Sequence, residues 1–288
     1  MNVGLFVLMF TCIECNAQTG SHQILLALSK QDHTLAIVDP STLKVIAKVP
    51  VGEDPHEVIA SSDGKIAYVS IYGGGRLHTI NAIDLVTYKR LDDIDTRPLL
   101  GPHGLVFVGN KLWFTAEGSK AVGCYNPSTK KMEWAMGTGQ DRTHMIYVTN
   151  NTKKIYTTNI ASGTVSVLQD SLMNENWEQT LISVSSGSEG FDVLPDSTEL
   201  WTASAKDGKI YIIDLATKKL EQTIDANVNG ANRLQFTPDG KMVFISSLGS
   251  GNLTVYDVKT RSQLKQINIG NGAAGILMQP DGSKVYVA

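Results

Sequence analysis

Three histidines and a glutamate recur at one place in a repeating frame. His56, His103, His144 and Glu189 each stand seven residues ahead of a turn marker, and Asn232 and Ala274 complete the series. Imidazole and carboxylate groups drawn toward one axis are what a divalent metal needs, and three protein donors with one open position are the pattern of catalytic zinc. The same groups suit a second chemistry, in which one acts as general base on an ester or lactone while others hold the developing oxyanion. Glu117, Arg142 and Arg233 fall beside the series, and the two guanidinium groups favour an anionic ligand. The candidate ligand site is therefore His56, His103, Glu117, Arg142, His144, Glu189, Asn232 and Arg233. Within it His56, His103, His144 and Glu189 are the metal donors, for a divalent ion. The bland alternative is that these polar side chains hydrogen-bond a neighbouring strand, copied from one ancestral repeat. His22, His33 and His78 lie off the series, at strand edges or in loops.

The turn marker itself reads Asp63-Gly64-Lys65, Asn110-Lys111, Asn151-Thr152-Lys153, Asp196-Ser197, Asp239-Gly240-Lys241 and Asp281-Gly282, at spacings of 47, 41, 45, 43 and 42 residues. A second marker keeps the same period: Asp39-x-x-Thr42, Asp84-x-x-Thr87, Asn126-x-x-Thr129, Asp214-x-x-Thr217 and Asp257-x-x-Thr260. Both are hairpin chemistry, since Asp-Gly pairs supply positive φ and an Asp or Asn side chain folds onto nearby backbone N–H groups. Short β-rich runs lie between them, such as Ile210-Tyr211-Ile212-Ile213, and no window of twelve residues carries a helical period. Each unit therefore holds four antiparallel strands, and at this period that means an all-β propeller of four-stranded blades. In a meander the start of every inner strand and the end of every second strand share one face, which places the candidate site at a mouth of the central channel.

The second strands carry Tyr68-Val69-Ser70, Trp113-Phe114-Thr115, Tyr156-Thr157-Thr158, Trp201-Thr202-Ala203, Phe244-Ile245-Ser246 and Tyr286-Val287-Ala288. This signature resembles the YVTN family of secreted, YncE-like β-propeller repeat proteins, over essentially all of the chain after residue 17. The resemblance implies seven blades and a periplasmic or cell-surface location. It extends more distantly to propeller lactonases and to the propeller domains of redox enzymes. Strand counting supplies twenty-five strands where seven blades need twenty-eight, so the chain is expected to lack the end of its last blade, including the inner strand of blade one. A six-bladed ring closed by residues 275–279 is the alternative.

Residues 1–17 read as a cleavable secretory signal, with an apolar run from Val3 to Phe10 and Cys15-Asn16-Ala17 before the cut. Residues 18–288 then form one propeller domain. Cys124 is the single cysteine after residue 17, which excludes a disulfide framework and points to a small buried core residue. Twenty-five basic against 28 acidic residues provide no broad basic field for nucleic acid, and no later window spans a bilayer. Gly73-Gly74-Gly75 is a hairpin loop, since no helix follows to make it a phosphate cradle.

Two functions follow from these residues. The first is an exported, monomeric binding or scaffold module that takes a protein partner or small anionic ligand at the channel mouth. The long loops 95–102 and 137–143 and the insertion 170–178 with Trp177 would assist it. The second is a metal-assisted or acid/base hydrolase or lyase using His103, His144, Glu117 and Glu189, with Arg142 orienting the substrate. The residues alone leave the presence of catalysis open.

Overall fold

The computed structural model describes residues 10–16, 21–171 and 176–288. Among them six antiparallel sheets follow one another in meander order, making an all-β propeller with six complete blades. A two-stranded sheet, Ile276–Met278 with Val285–Val287, follows the sixth blade and is joined by the expected Asp281-Gly282 hairpin. The chain divides into two compact units: Met1–Gly139 holds blades one to three, and Gln140–Ala288 holds blades four to six and the two-stranded sheet.

Both sequence markers act as their chemistry requires. Gly64, Asn110, Thr152, Ser197, Gly240 and Gly282 all have φ between 55° and 73°, one in each inner hairpin. At the outer hairpins Asp39 accepts the Ser41 and Thr42 N–H groups, Asp84 those of Val86 and Thr87, and Asp214 and Asp257 those of Thr217 and Thr260.

Blade one departs from the sequence expectation. Phe10–Asn16 pairs with Ser21–Ser29 in the inner position, from Phe10 opposite Ala27 to Asn16 opposite Ser21, so this sheet has four strands. Of the expected signal, residues 1–9 and the cut after Ala17 lie outside the described residues, as do residues 172–175 of the insertion. No helix among the described residues is long and apolar enough to cross a membrane.

The second strands form the centre of each blade. Their signature aromatics Tyr68, Trp113, Tyr156 and Trp201 are all buried, and such rings dominate the apolar area a core removes from water. Tyr68 stacks on Phe107 of the next blade's inner strand, with ring centroids 5.7 Å apart and planes 6° apart. Trp201 meets Phe236 edge to face, also at 5.7 Å and also across a blade boundary. Outer strands are exposed, Ser262–Asn268 along its whole length. Cys124 is buried as expected, and burial pushes its thiol up to about 12.

A polar tie joins blades five and six within the second unit. Asp192, on the inner strand Ser188–Val193, accepts the Phe236 N–H of the next inner strand at 2.9 Å and the Val193 N–H at 2.8 Å. Burial pushes the Asp192 carboxyl up to about 6, outweighing the pull of those two N–H groups. The folded chain thus holds this proton more tightly than the unfolded chain does. Asp192 then contributes stability that is full below its ordinary value of 3.8 and is lost as pH rises through about 6. Between those limits wild type is expected to lose stability relative to Asp192→Asn on the order of 3 kcal/mol, read by urea denaturation of both proteins across that pH range. Parallel curves would remove Asp192 as the titrating group.

Candidate functional site

Five of the six residues of the sequence series stand second in their inner strands, while Ala274 lies two residues ahead of Ile276–Met278. His56 is second in Pro55–Ala60, His103 in Pro102–Val108, His144 in Thr143–Val148, Glu189 in Ser188–Val193 and Asn232 in Ala231–Phe236. The backbone singles out that position. Each of these five strands shifts register against its second strand between its first and fourth residues, for example between Pro102 and Leu105. Two inner-strand residues therefore oppose one residue of the second strand, a bulge that re-aims side chains.

The single opposing residue is Ser70, Thr115, Thr158, Ala203 or Ser246. Its residue, where it carries a hydroxyl, is fully buried, and at Ser70, Thr115 and Ser246 that hydroxyl repairs the interrupted ladder. Ser70 Oγ accepts the Glu57 N–H at 3.0 Å, Thr115 Oγ1 the Gly104 N–H at 2.8 Å and Ser246 Oγ the Arg233 N–H at 3.1 Å. Thr158 Oγ1 donates to the Glu189 carbonyl of the next blade at 2.7 Å, and Ser246 Oγ does the same to Ala274. In blade five Ala203 has no hydroxyl, and the neighbouring Thr202 Oγ1 instead donates to the Gly190 carbonyl at 2.8 Å.

In the first unit His56 and His103 come together with two residues outside the sequence series. The His56 ring lies 4.6 Å from His103 and 4.5 Å from Tyr72, and Tyr72 lies 5.1 Å from His103. The Tyr72 hydroxyl donates a short hydrogen bond to Glu117, which is only 6% exposed. His103 is 2% exposed, and its ring nitrogens and the Glu117 carboxylate include ligand atoms within 4.8 Å of each other. Lys30 Nζ donates to His56 Nε2 at 2.8 Å while His56 Nδ1 donates to the Asp54 carbonyl at 3.0 Å, so both nitrogens of this ring are engaged. Lys30 also pairs with the Asp54 carboxylate at 2.8 Å. Burial would raise Asp54, but Lys30 and His56 outweigh it and hold this carboxyl below its usual range.

Lys30, Tyr72 and Glu117 occupy one repeat position, the first residue after the second strand. Counting along both rows of the repeat would have found Lys30 and Tyr72, which counting along one row missed. Close backbone contact holds this row together. A Cβ on Gly118 would lie 2.0 Å from the Gly75 carbonyl oxygen, so the loops after Tyr72 and Glu117 touch only because both carry glycine.

In the second unit the series makes an ion-paired group. Glu189 Oε1 lies 3.2 Å from His144 Nε2 and 3.3 Å from Arg233 Nη1, with His144 2% exposed. Burial pushes Glu189 up, yet the hydrogen bonds and charges of His144 and Arg233 outweigh it and bring the carboxyl down to about 2. Asn232 is buried and passes its carbonyl to Arg233 Nη1 at 3.4 Å. A Cβ on Gly190 would meet the Asn232 carbonyl oxygen at 2.5 Å, so this glycine lets the inner strands of blades five and six approach at the site. Arg142 is exposed at φ 57°, in the loop before His144, and its carbonyl accepts the Ile160 N–H at 3.0 Å.

The model of the cytochrome D1 heme domain family matches residues 113–283, more than half of the chain. No curated protein matches the sequence. Among solved structures the chain is similar to hydrazine synthase of Kuenenia stuttgartiensis, at 17% identity and TM-score 0.76 over 92% of this chain and 89% of that one. It is also similar to a chain of a mitotic checkpoint complex, at 11% identity and TM-score 0.78 over 100% and 89%. These two likenesses carry the propeller fold alone.

The bulge hydroxyls give the first test of how the site is aimed. Thr115→Val keeps shape but leaves the buried Gly104 N–H without its acceptor, a loss of about 1–3 kcal/mol. Urea denaturation is expected to show that loss, with shifted His103 ring signals by NMR. A variant as stable as wild type with His103 unmoved would mean that the hydroxyl does not set the bulge.

Proposed function

Since the chain belongs to the cytochrome D1 heme domain family, we propose that it is an exported ligand-binding propeller that holds a bare divalent metal ion between an inner-strand start and the end of the adjoining second strand and, on it, a small anionic ligand. The observation that carries this reading is the buried pair His103 and Glu117, an imidazole and a carboxylate within coordinating reach of each other. Such a nitrogen and oxygen pair suits zinc, manganese or iron(II). His144 and Glu189 supply a second donor pair in the other unit, 3.2 Å apart.

A haem was weighed against the same residues. Haem iron takes an axial imidazole, and the macrocycle needs an open plane beyond that nitrogen. His103 is 2% exposed with His56 and Tyr72 rings at 4.6 and 5.1 Å, and both His56 nitrogens are engaged. His144 is as buried and is tied to Glu189. These residues do not fit a macrocycle as they stand.

Lys30 in the first unit, and Arg233 and the exposed Arg142 in the second, are the cations that would attract an anion to the site of their own unit. Residues 1–17, read as a leader, would carry export to the periplasm or cell surface, and the second-strand signature supports a YVTN-type propeller of seven blades. A monomer that binds a protein partner on the same face belongs to this proposal. A second reading, acid/base or metal-assisted opening of an ester or lactone, is favoured by the Tyr72 hydroxyl on Glu117, a proton donor and its acceptor at one point.

Elemental analysis of the purified exported protein tests the metal. Wild type is expected to hold stoichiometric divalent metal, and His103→Ala/Glu117→Gln to lose it with its circular dichroism unchanged. At a free ion concentration of 100 Kd the ion would stabilise wild type by about 2.7 kcal/mol and the variant by nothing. Metal-free wild type that no added zinc, manganese or iron(II) stabilises would overturn the proposal.

A further inference from the structure

Blade two breaks the pattern of the others at its outer edge. Blades one and three to six close with a continuous outer strand of six or seven residues. Blade two closes with two fragments, Lys89–Arg90 and Ile94–Asp95, both on its third strand Thr79–Asp84, and residues 91–93 leave the ladder between them.

This detour is built into the fold. The fully buried Asn81 side chain donates to Asp93 at 2.9 Å and accepts the Gly52 N–H at 2.8 Å. Arg90 grips both oxygens of Asp93 at 2.7–3.0 Å. Interruptions of this kind concentrate beside functional sites. Here the interruption opens a cleft of about 700 Å³ between blades two and three, both in the first unit. Small-molecule sites run from about 300 to 1,000 Å³.

The floor is apolar and aromatic: Ile66, Tyr68 and Ala82 from blade two, Tyr125 and Met132 from blade three. It continues the cluster that joins the two blades. Burial pushes the Tyr68 phenol up to about 12 and raises Tyr125 as well, so both stay neutral. The rim is charged, but most of its charge is spent internally. Arg90 and Asp93 neutralise each other, and Asp95 is held by Arg97 and His78. What is left is one exposed carboxylate, Asp92, and one exposed ammonium, Lys130.

An apolar floor under one remaining charge of each sign matches a particular class of molecule. We propose that this cleft binds a zwitterionic amino acid with a large aromatic or thioether side chain. The side chain lies on Tyr68, Tyr125 and Met132, the carboxylate meets Lys130 and the ammonium meets Asp92. An internal peptide residue carries neither terminal charge and would leave both rim groups unmatched. The site is separate from the proposed metal donors and makes or breaks no bond.

Isothermal titration of the full chain with L-tryptophan, L-phenylalanine and L-methionine tests it. One site per chain is expected for at least one of them. Lys130→Ala and Asp92→Ala, both at exposed positions, should each weaken binding about tenfold, as loss of a charged hydrogen bond does. Indole, which has the ring without the charges, should bind at least about tenfold more weakly than L-tryptophan, and His103→Ala/Glu117→Gln should bind as wild type does. No saturable heat at millimolar ligand, or affinity that both rim variants leave unchanged, would overturn the proposal.

Discussion

In blades two to six, two residues of the inner strand oppose one residue of the second strand, and the candidate site depends on that constraint. A regular ladder would alternate side chains between the two faces of the blade. The bulge takes the second inner-strand residue out of that alternation, at the cost of backbone groups that lose their ladder partners. Buried donors left so would cost about 1–3 kcal/mol each, which is why Ser70, Thr115 and Ser246 stand opposite them with an accepting hydroxyl. The same hydroxyl position reaches the next blade at Thr158 and Ser246. At Ser246 the repair of the bulge and the attachment to the following sheet thus share one side chain.

The two units use the same frame for different electrostatics. In the first, His56, Tyr72, His103 and Glu117 form a ring-lined, largely buried group, with Lys30 shared between His56 and Asp54. In the second, Glu189 is held ionised between His144 and Arg233. The first offers an imidazole and a carboxylate at coordinating distance, whereas the second is a carboxylate already neutralised by its neighbours. The proposed ion rests on His103 and Glu117 because both are buried and lie within coordinating reach of each other.

Much of this was legible in the residues because a repeat converts spacing into geometry. Counting seven back from Asp63, Asn110, Asn151, Asp196 and Asp239 reached the second inner-strand residue in every case, since the hairpin and the bulge keep a fixed length between them. The blade plan and the burial of Cys124 followed from the same periodicity and composition. Lys30 and Tyr72 escaped because their role comes from standing at the end of a second strand, a row that only Glu117 had marked. The pairing of Phe10–Asn16 with blade one was hidden by an apolar run that reads equally as a leader. The detour in blade two was invisible because Asn81 and Asp93, which hold it, are ordinary residues of a strand and a loop until their hydrogen bond is seen.

Anomalous diffraction from crystals of the full chain grown with zinc tests most directly whether the bulged His103 and the Glu117 that follows the second strand form a coordination site. The expected result is a peak about 2.0–2.2 Å from a His103 ring nitrogen and a Glu117 carboxylate oxygen. Peaks confined to surface carboxylates, with His103 and Glu117 bare in a fully loaded crystal, would contradict it.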